Sequence, residues 1–319
     1  MTKALVLGVA SALFFSSTFV LNRVMGVDGA SFWWMSSLRY FFTVPLLIMI
    51  VWFRGGLKPV WDAVAVRPWP WILWGTVGFG LFYLPLTWVA AWAPAWLLAS
   101  SWQLTIIAGS LLVPIIGGVS LDDRRIPVKA LWPSGLIFVG VLLTQWSVAR
   151  LTGPRVWWAL VPILIAACAY PLGNRLMMRY SREHGPFDVY QRTLGMTLGS
   201  LPLWIVVAAI GLVQAGPPTS RELWYTLAVA ILSGIVATLL FFAATDMARG
   251  RTHWLARIEA TQSMEIVFTA LLSSALFGAQ WPNLYGGIGM LIIVGGMILH
   301  SLGSSVRQEN PELESNVLG

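Results

Sequence analysis

The 319 residues are 57% hydrophobic and 10% charged, with a mean hydropathy of +0.75. That balance leaves too little polar surface to coat a water-soluble domain. The formal net charge of +7 argues for no nucleic-acid partner, because the basic residues are scattered through short breaks and form no stripe. Cys168, the lone cysteine, excludes an intrachain disulfide, and no CxxC or Cys/His spacing points to zinc. There is no P-loop, nucleophile elbow, HExxH or Gly-rich nucleotide motif. Neither an enzyme nor an ATP-driven pump is expected, and no cofactor or metal is implied.

Apolar runs of about 20 residues, enough to cross a hydrocarbon core at roughly 1.5 Å per residue, recur from end to end. They lie at 4–22, 31–53, 70–91, 95–117, 128–148, 156–177, 187–213, 223–246, 253–277 and 281–302. The sequence thus predicts an all-α membrane protein with ten transmembrane helices. The first run resembles a signal peptide in its single Lys3, but its length and the similar segments behind it predict an uncleaved helix. The breaks carry turn residues, as in Arg54-Gly55-Gly56, Leu121-Asp122-Asp123-Arg124-Arg125, Thr152-Gly153-Pro154-Arg155 and Gly216-Pro217-Pro218. A polar tail at 304–319 is expected to be disordered.

Orientation follows from Lys and Arg in alternate loops. With a cytoplasmic amino terminus, Lys3, Arg54, Lys58, Arg67, Arg124, Arg125 and Lys129 fall inside with six later arginines, Arg249, Arg251 and Arg307 among them. Only Arg23, Arg150, Arg155 and Arg221 fall outside. Both termini are therefore expected in the cytoplasm of a cell whose cytoplasmic (inner) membrane holds the chain. Tryptophans such as Trp52, Trp69, Trp71 and Trp157 gather near predicted helix ends, where headgroups anchor them.

Ten helices divide into two sets of five, 1–150 and 151–303. An arginine opens the second helix of each set, in Leu38-Arg39-Tyr40 and Gln191-Arg192-Thr193. Each third helix ends in an alanine-rich turn, around Ala90-Ala91 and Ala243-Ala244, and each fourth closes on glycine, at Ile116-Gly117-Gly118 and Phe277-Gly278-Ala279. Because five is odd, the second copy must lie upside down. Inverted repeats are common in secondary transporters, with the substrate near the bilayer midplane between the halves.

Leu38-Arg39-Tyr40, the turn at 90–95, the run Met264-Glu265-Ile266-Val267-Phe268 and the glycine-rich Gly286 to Gly296 together resemble the drug/metabolite transporter superfamily in its ten-helix, EamA-like form. The resemblance covers 4–302 and implies a small-molecule exporter. Two departures stand out: Ile266 replaces the proline of the family's Glu-Pro pair, and the closing acids of its fourth helices are missing at Gly118 and Ala279. They point to a divergent branch, the multidrug resistance efflux transporters.

Candidate site residues follow from polar groups at membrane depth, which are expensive unless a pathway or partner receives them. Glu265 sits in the middle of the ninth segment, and Glu259 lies six residues earlier on a different face. A carboxyl group at that depth can take either a proton or a cationic substrate, so the two compete. Gln262 is three residues from both acids and could bridge toward either. Arg39 and Arg192 could hold an anionic group or neutralise an acid; each is also close enough to a helix end to snorkel. Gln103 is nearly repeat-equivalent to Glu265, and Asn22 and Tyr83 are further deep polar groups. Trp102, Trp88, Tyr83 and Phe82 could form an aromatic wall for organic cations. Near the ends, His253, Arg257 and His300 read as interfacial.

The expected function is secondary transport, exporting small organic metabolites or amphipathic cations in exchange for protons. Uncoupled diffusion of amino acids or similar solutes is the alternative, and a membrane enzyme or lipid-handling protein is an alternative of another class. The expected partners are a small-molecule substrate, protons and membrane lipids, for a monomer or homodimer.

Overall fold

The computed structural model describes residues 2–116, 128–185, 187–248 and 252–309. Among them every regular element is helical and no strand occurs. Nine of these helices are long and apolar enough to cross a bilayer: α1 (Thr2–Val27), α2 (Phe32–Phe53), α4 (Pro68–Ala90), α6 (Leu131–Thr152), α7 (Pro154–His184), α8 (Val189–Ala215), α9 (Ser220–Met247), α10 (Trp254–Phe277) and α11 (Leu284–Leu302). The protein is a multi-pass membrane protein. The breaks at Gly117-Gly118 and Leu121 to Arg125, Arg249, Arg251 and the tail from 310 lie outside the described residues, as do the side chains of Lys129, His253 and Arg307. The last helix runs on to Glu309.

Two elements differ from the sequence reading. The predicted fourth crossing, 95–117, is the shorter α5 (Ala95–Leu111), interrupted at Gln103 and followed by one further turn, Val113–Ile116. Gln103 turns its amide back onto the Ala99 carbonyl at 3.2 Å, a side-chain bond that competes with the helical ladder. The segment read as a loop after Arg54-Gly55-Gly56 holds α3 (Leu57–Val66). Too short to cross a bilayer, it buries only Val60 and leaves Trp61 63% exposed, as an element lying along an interface does.

Helices in lipid gain little from hydrophobic attraction to one another, so close backbone approach at small residues holds them together. A Cβ on Gly173 of α7 would lie 2.4 Å from the Gly78 Cα of α4, and one on Gly199 of α8 would lie 2.2 Å from the Trp71 carbonyl oxygen. Gly140 of α6 and Gly289 of α11 meet in the same way. The resulting neighbours are α1 against α9 and α10, α7 against α4 and α5, α2 against α8, and α6 against α11. The largest apolar core draws Leu97, Ile137, Ile163, Ile266 and Ile293 from five helices.

Trp71 corrects an expectation. Read as a headgroup anchor, it is fully buried, with its ring edge-on to Phe187 at 5.5 Å and covered by Gly195. A glycine there opens a slot the size of an indole. Trp52, Trp69 and Trp281 are exposed as anchors should be.

Polar ties join the helix ends. At one end Asp28 pairs with Arg221 at 2.9 Å, and the Glu222 carboxylate accepts from the Ser31 N–H (2.9 Å) and the Thr219 N–H (2.7 Å). The latter bond completes a capping box that starts α9. At the other end Arg54 meets Asp188 at 3.4 Å, and the Gln191 amide donates to the Gly56 carbonyl at 3.0 Å.

Candidate transport site

Four irregular turns shape the interior. In α4 the stretch Thr76–Gly80 is π-helical, and so is Ala230–Ala237 in α9. Gly78 and Gly80 remove the Cβ atoms that crowd a widened turn, and Pro85 one turn later has no N–H to give to the preceding turn. Such bulges redirect side chains. The break at Gln103 in α5 and the 3₁₀ turn Thr261–Ser263 in α10 do the same for Trp102 and Glu265.

One group of side chains surrounds Tyr83, which is fully buried. The Arg39 guanidinium carbon lies 4.2 Å from the Tyr83 ring centre and 6.0 Å from that of Tyr40, a cation-π geometry. Arg39 Nη2 donates to Ser233 Oγ at 3.3 Å, and Thr18 donates to the same oxygen at 2.6 Å. Asn22 Nδ2 donates to the Tyr83 hydroxyl at 2.8 Å. Tyr40 stacks on Trp204 at 4.4 Å and donates to the Phe79 carbonyl at 3.3 Å, within the π-helical turn of α4. Two polar atoms here lack a hydrogen-bond partner, Arg39 Nη1 and Asn22 Oδ1. None of the ion pairs among the described residues involves Arg39.

A second group lies around Glu265. The Gln103 amide stands against the Glu265 carboxyl, so two residues the sequence matched by position meet in space. Phe82, Trp102 and Tyr170 form a triangle of rings, with centres 4.9 Å (Phe82 to Trp102), 4.9 Å (Phe82 to Tyr170) and 5.5 Å (Trp102 to Tyr170) apart. Phe82 links the groups, since its ring centre also lies 5.8 Å from that of Tyr83. Although protein surrounds them, Glu265 and Arg39 each keep accessible surface and Tyr170 keeps 39% of its own. A carboxyl, a guanidinium and a cluster of rings have the chemistry to hold the polar head and apolar body of a small amphipathic molecule.

Other expected residues lie elsewhere. Glu259 is exposed. The Gln262 amide donates to Ser11 Oγ (3.0 Å) and the Gly8 carbonyl (3.2 Å) of α1, so it bridges helices and reaches neither acid. Arg192 lies in the first turn of α8 beside Arg182 and Asp188, away from the Tyr83 group that Arg39 joins. Trp88 is 41% exposed and packs edge-on against Trp92, outside the aromatic triangle. Arg257 stacks over Trp254 at 4.7 Å, and half-buried His300 contacts Ser110 at 3.4 Å. Sequence reasoning missed Tyr170, whose neighbours Ala169 and Pro171 read as plain apolar helix, and Ser233, a small hydroxyl that only its π-helical turn singles out.

A bundle of membrane-crossing helices with charged and aromatic groups turned inward is the build of a membrane transporter. The chain belongs to the EmrE family, described as "Putative multidrug resistance efflux transporter", whose model matches residues 2–306. It is 43% identical over 323 residues to "Uncharacterized protein YjlA" of Bacillus subtilis (strain 168), covering 99% of each chain. It is 44% identical over 281 residues to "Uncharacterized 42.1 kDa protein in intracellular alkaline protease 3'region" of Shouchella clausii, covering 87% of this chain and 74% of that one. A solved crystal structure of a protein, 16% identical, superposes with a TM-score of 0.62 over 97% of this chain and 100% of the other. That likeness speaks to the fold alone.

Proposed function

We propose that the chain is a secondary transporter of the cytoplasmic membrane that exports small organic molecules in exchange for protons. The observation that carries this reading is the Glu265 carboxyl against Gln103, beside the Phe82, Trp102 and Tyr170 triangle and still accessible. A carboxylate there binds a proton or a substrate group in turn, and a ring wall holds the apolar body. Glu265 is the coupling residue. Arg39, Asn22, Tyr83, Gln103 and Trp102 contact substrate.

The architecture belongs to the same proposal. Ten crossings, counting α5 as the fourth, form two inverted repeats, 1–150 and 151–303, with both termini in the cytoplasm. Matched irregularities support it: the third crossing of each half carries a π-helical turn, and the fourth is interrupted at Gln103 in one half and at Thr261–Ser263 in the other. Matched packing supports it too, since α1 contacts α9 and α10 as α7 contacts α4 and α5. Widened and broken turns have incomplete ladders and bend first, so alternating access hinges there.

The test is reconstitution of the full chain in proteoliposomes with a panel of tetraphenylphosphonium, ethidium, L-phenylalanine and 3-phenyllactate. With an acidic lumen, at least one member accumulates above its equilibrium level, and collapsing the gradient releases it. Flux indifferent to the gradient would replace exchange with facilitated diffusion.

A further inference from the structure

Where α2 gives way to α3 the chain builds a surface that the exchange reading does not use. Gly55, at a φ of +72°, turns the backbone out of α2. Pro59 then falls in the first turn of α3, where its missing N–H leaves no helical bond unmade. Val60 is buried with Leu47 and Val51 of α2 and Leu194 of α8, and Leu57 and Val64 pack against the same core. With that face turned inward, Lys58, Trp61 and Asp62 share the opposite one at helical spacing, and all three are exposed. Between them and the end of α2 lies an open cleft of about 500 Å³, lined by Trp52, Gly55, Leu57, Lys58, Trp61 and Asp62. Its volume is ordinary for a small-ligand site.

We infer that this cleft seats the headgroup of a phospholipid that carries a primary ammonium, phosphatidylethanolamine, with the phosphate on Lys58 and the ammonium on Asp62. Among the described residues neither side chain joins an ion pair, although the two stand one helical turn apart. A lysine four residues before an acid is the weaker order for such a pair, so both charges are left for a ligand. One turn rises about 6 Å, a span that the two-carbon bridge between phosphate and ammonium can meet. The rings of Trp52 and Trp61 line the same cleft and can face the ammonium.

Charge balance selects this headgroup over its neighbours in a bilayer. Arg54, beside the cleft, is already held by Asp188 at 3.4 Å and by the Tyr190 ring at 4.5 Å, so the lining presents one charge of each sign. Phosphatidylglycerol offers the same phosphate to Lys58 but leaves Asp62 beside an uncompensated anion. Phosphatidylcholine offers a cation with no N–H for the carboxylate to accept. A lipid is the occupant at hand, because Trp52, Phe53 and Trp69 are exposed around the cleft, as residues at the headgroup level are.

The experiment titrates the full chain in detergent with dioleoyl phosphatidylethanolamine, phosphatidylcholine or phosphatidylglycerol and reads the first bound lipid by native mass spectrometry. Phosphatidylethanolamine should bind about fivefold tighter than either of the others, the worth of roughly one exposed ion pair. Asp62→Asn should erase that advantage, and Lys58→Gln should weaken all three lipids. Both positions are exposed, so the thermal midpoint should not move, and Lys3→Gln, another exposed lysine, should change neither affinity nor preference. Equal affinity for the three lipids, a lead for phosphatidylglycerol, or an Asp62→Asn protein that keeps the preference would overturn the assignment.

Discussion

Adding one methyl group to Gly173 tests whether backbone contact between α4 and α7 holds the interior in shape. The new Cβ would sit 2.4 Å from both the Cα and the N of Gly78 and 2.9 Å from the Trp74 carbonyl oxygen, where ordinary contact begins at 3.4 Å. Main-chain atoms cannot rotate away, so the helices must part by about 1 Å, and such overpacking costs typically about 1–3 kcal/mol. The alanine returns up to about 1 kcal/mol of helix propensity, which leaves a net loss. Gly78→Ala meets the same interface from the other side, but its Cβ would first touch the mobile Met196 Cε at 3.0 Å and reach Gly173 Cα at 3.3 Å. Gly135→Ala meets nothing within 4 Å and serves as control. Thermal unfolding in one detergent should rank the proteins Gly135→Ala at or above the parent, then Gly78→Ala, then Gly173→Ala. Equal midpoints for Gly173→Ala and Gly135→Ala would refute the packing argument.

Glu222→Ala strands the Ser31 and Thr219 N–H groups that the carboxylate receives, so unfolding should cost about 1–3 kcal/mol less, as read by the same melts. Arg192→Gln should leave proteoliposome uptake of the panel within about twofold, because Arg192 lies beside Asp188 and Arg182 and not at Tyr83; an effect as large as that of Arg39→Gln would return it to the site. Tyr83→Phe removes the hydroxyl that Asn22 donates to, so a buried amide loses its partner and unfolding should cost about 1–3 kcal/mol less, as read by the same melts.

Composition and hydropathy make the multi-pass helical build legible, because lipid demands long apolar helices wherever a chain crosses it. Glu265 and Gln103 stood out in the sequence because polar groups are costly at that depth, and the structure sets them side by side. Arg192 shows the limit of matching by position: two arginines occupy like places in sequence, yet the first turn of α8 brings one to Asp188 while α2 carries the other to Tyr83. The π-helical turns leave only faint traces in Gly78 and Gly80, so Ser233 and the inward angle of Tyr83 could not be read from periodicity. Trp71 escaped for a related reason, because the glycines that bury it lie more than a hundred residues away. Long-range contact decided its place.

Transport by Glu265→Gln measures the central claim most directly, because exchange of substrate for substrate and flux driven by a pH gradient can be followed in one proteoliposome preparation. The account predicts that the variant keeps substrate exchange and loses accumulation against the gradient. A variant that accumulated substrate as fully as the parent would show that the carboxyl at 265 does not carry the coupling.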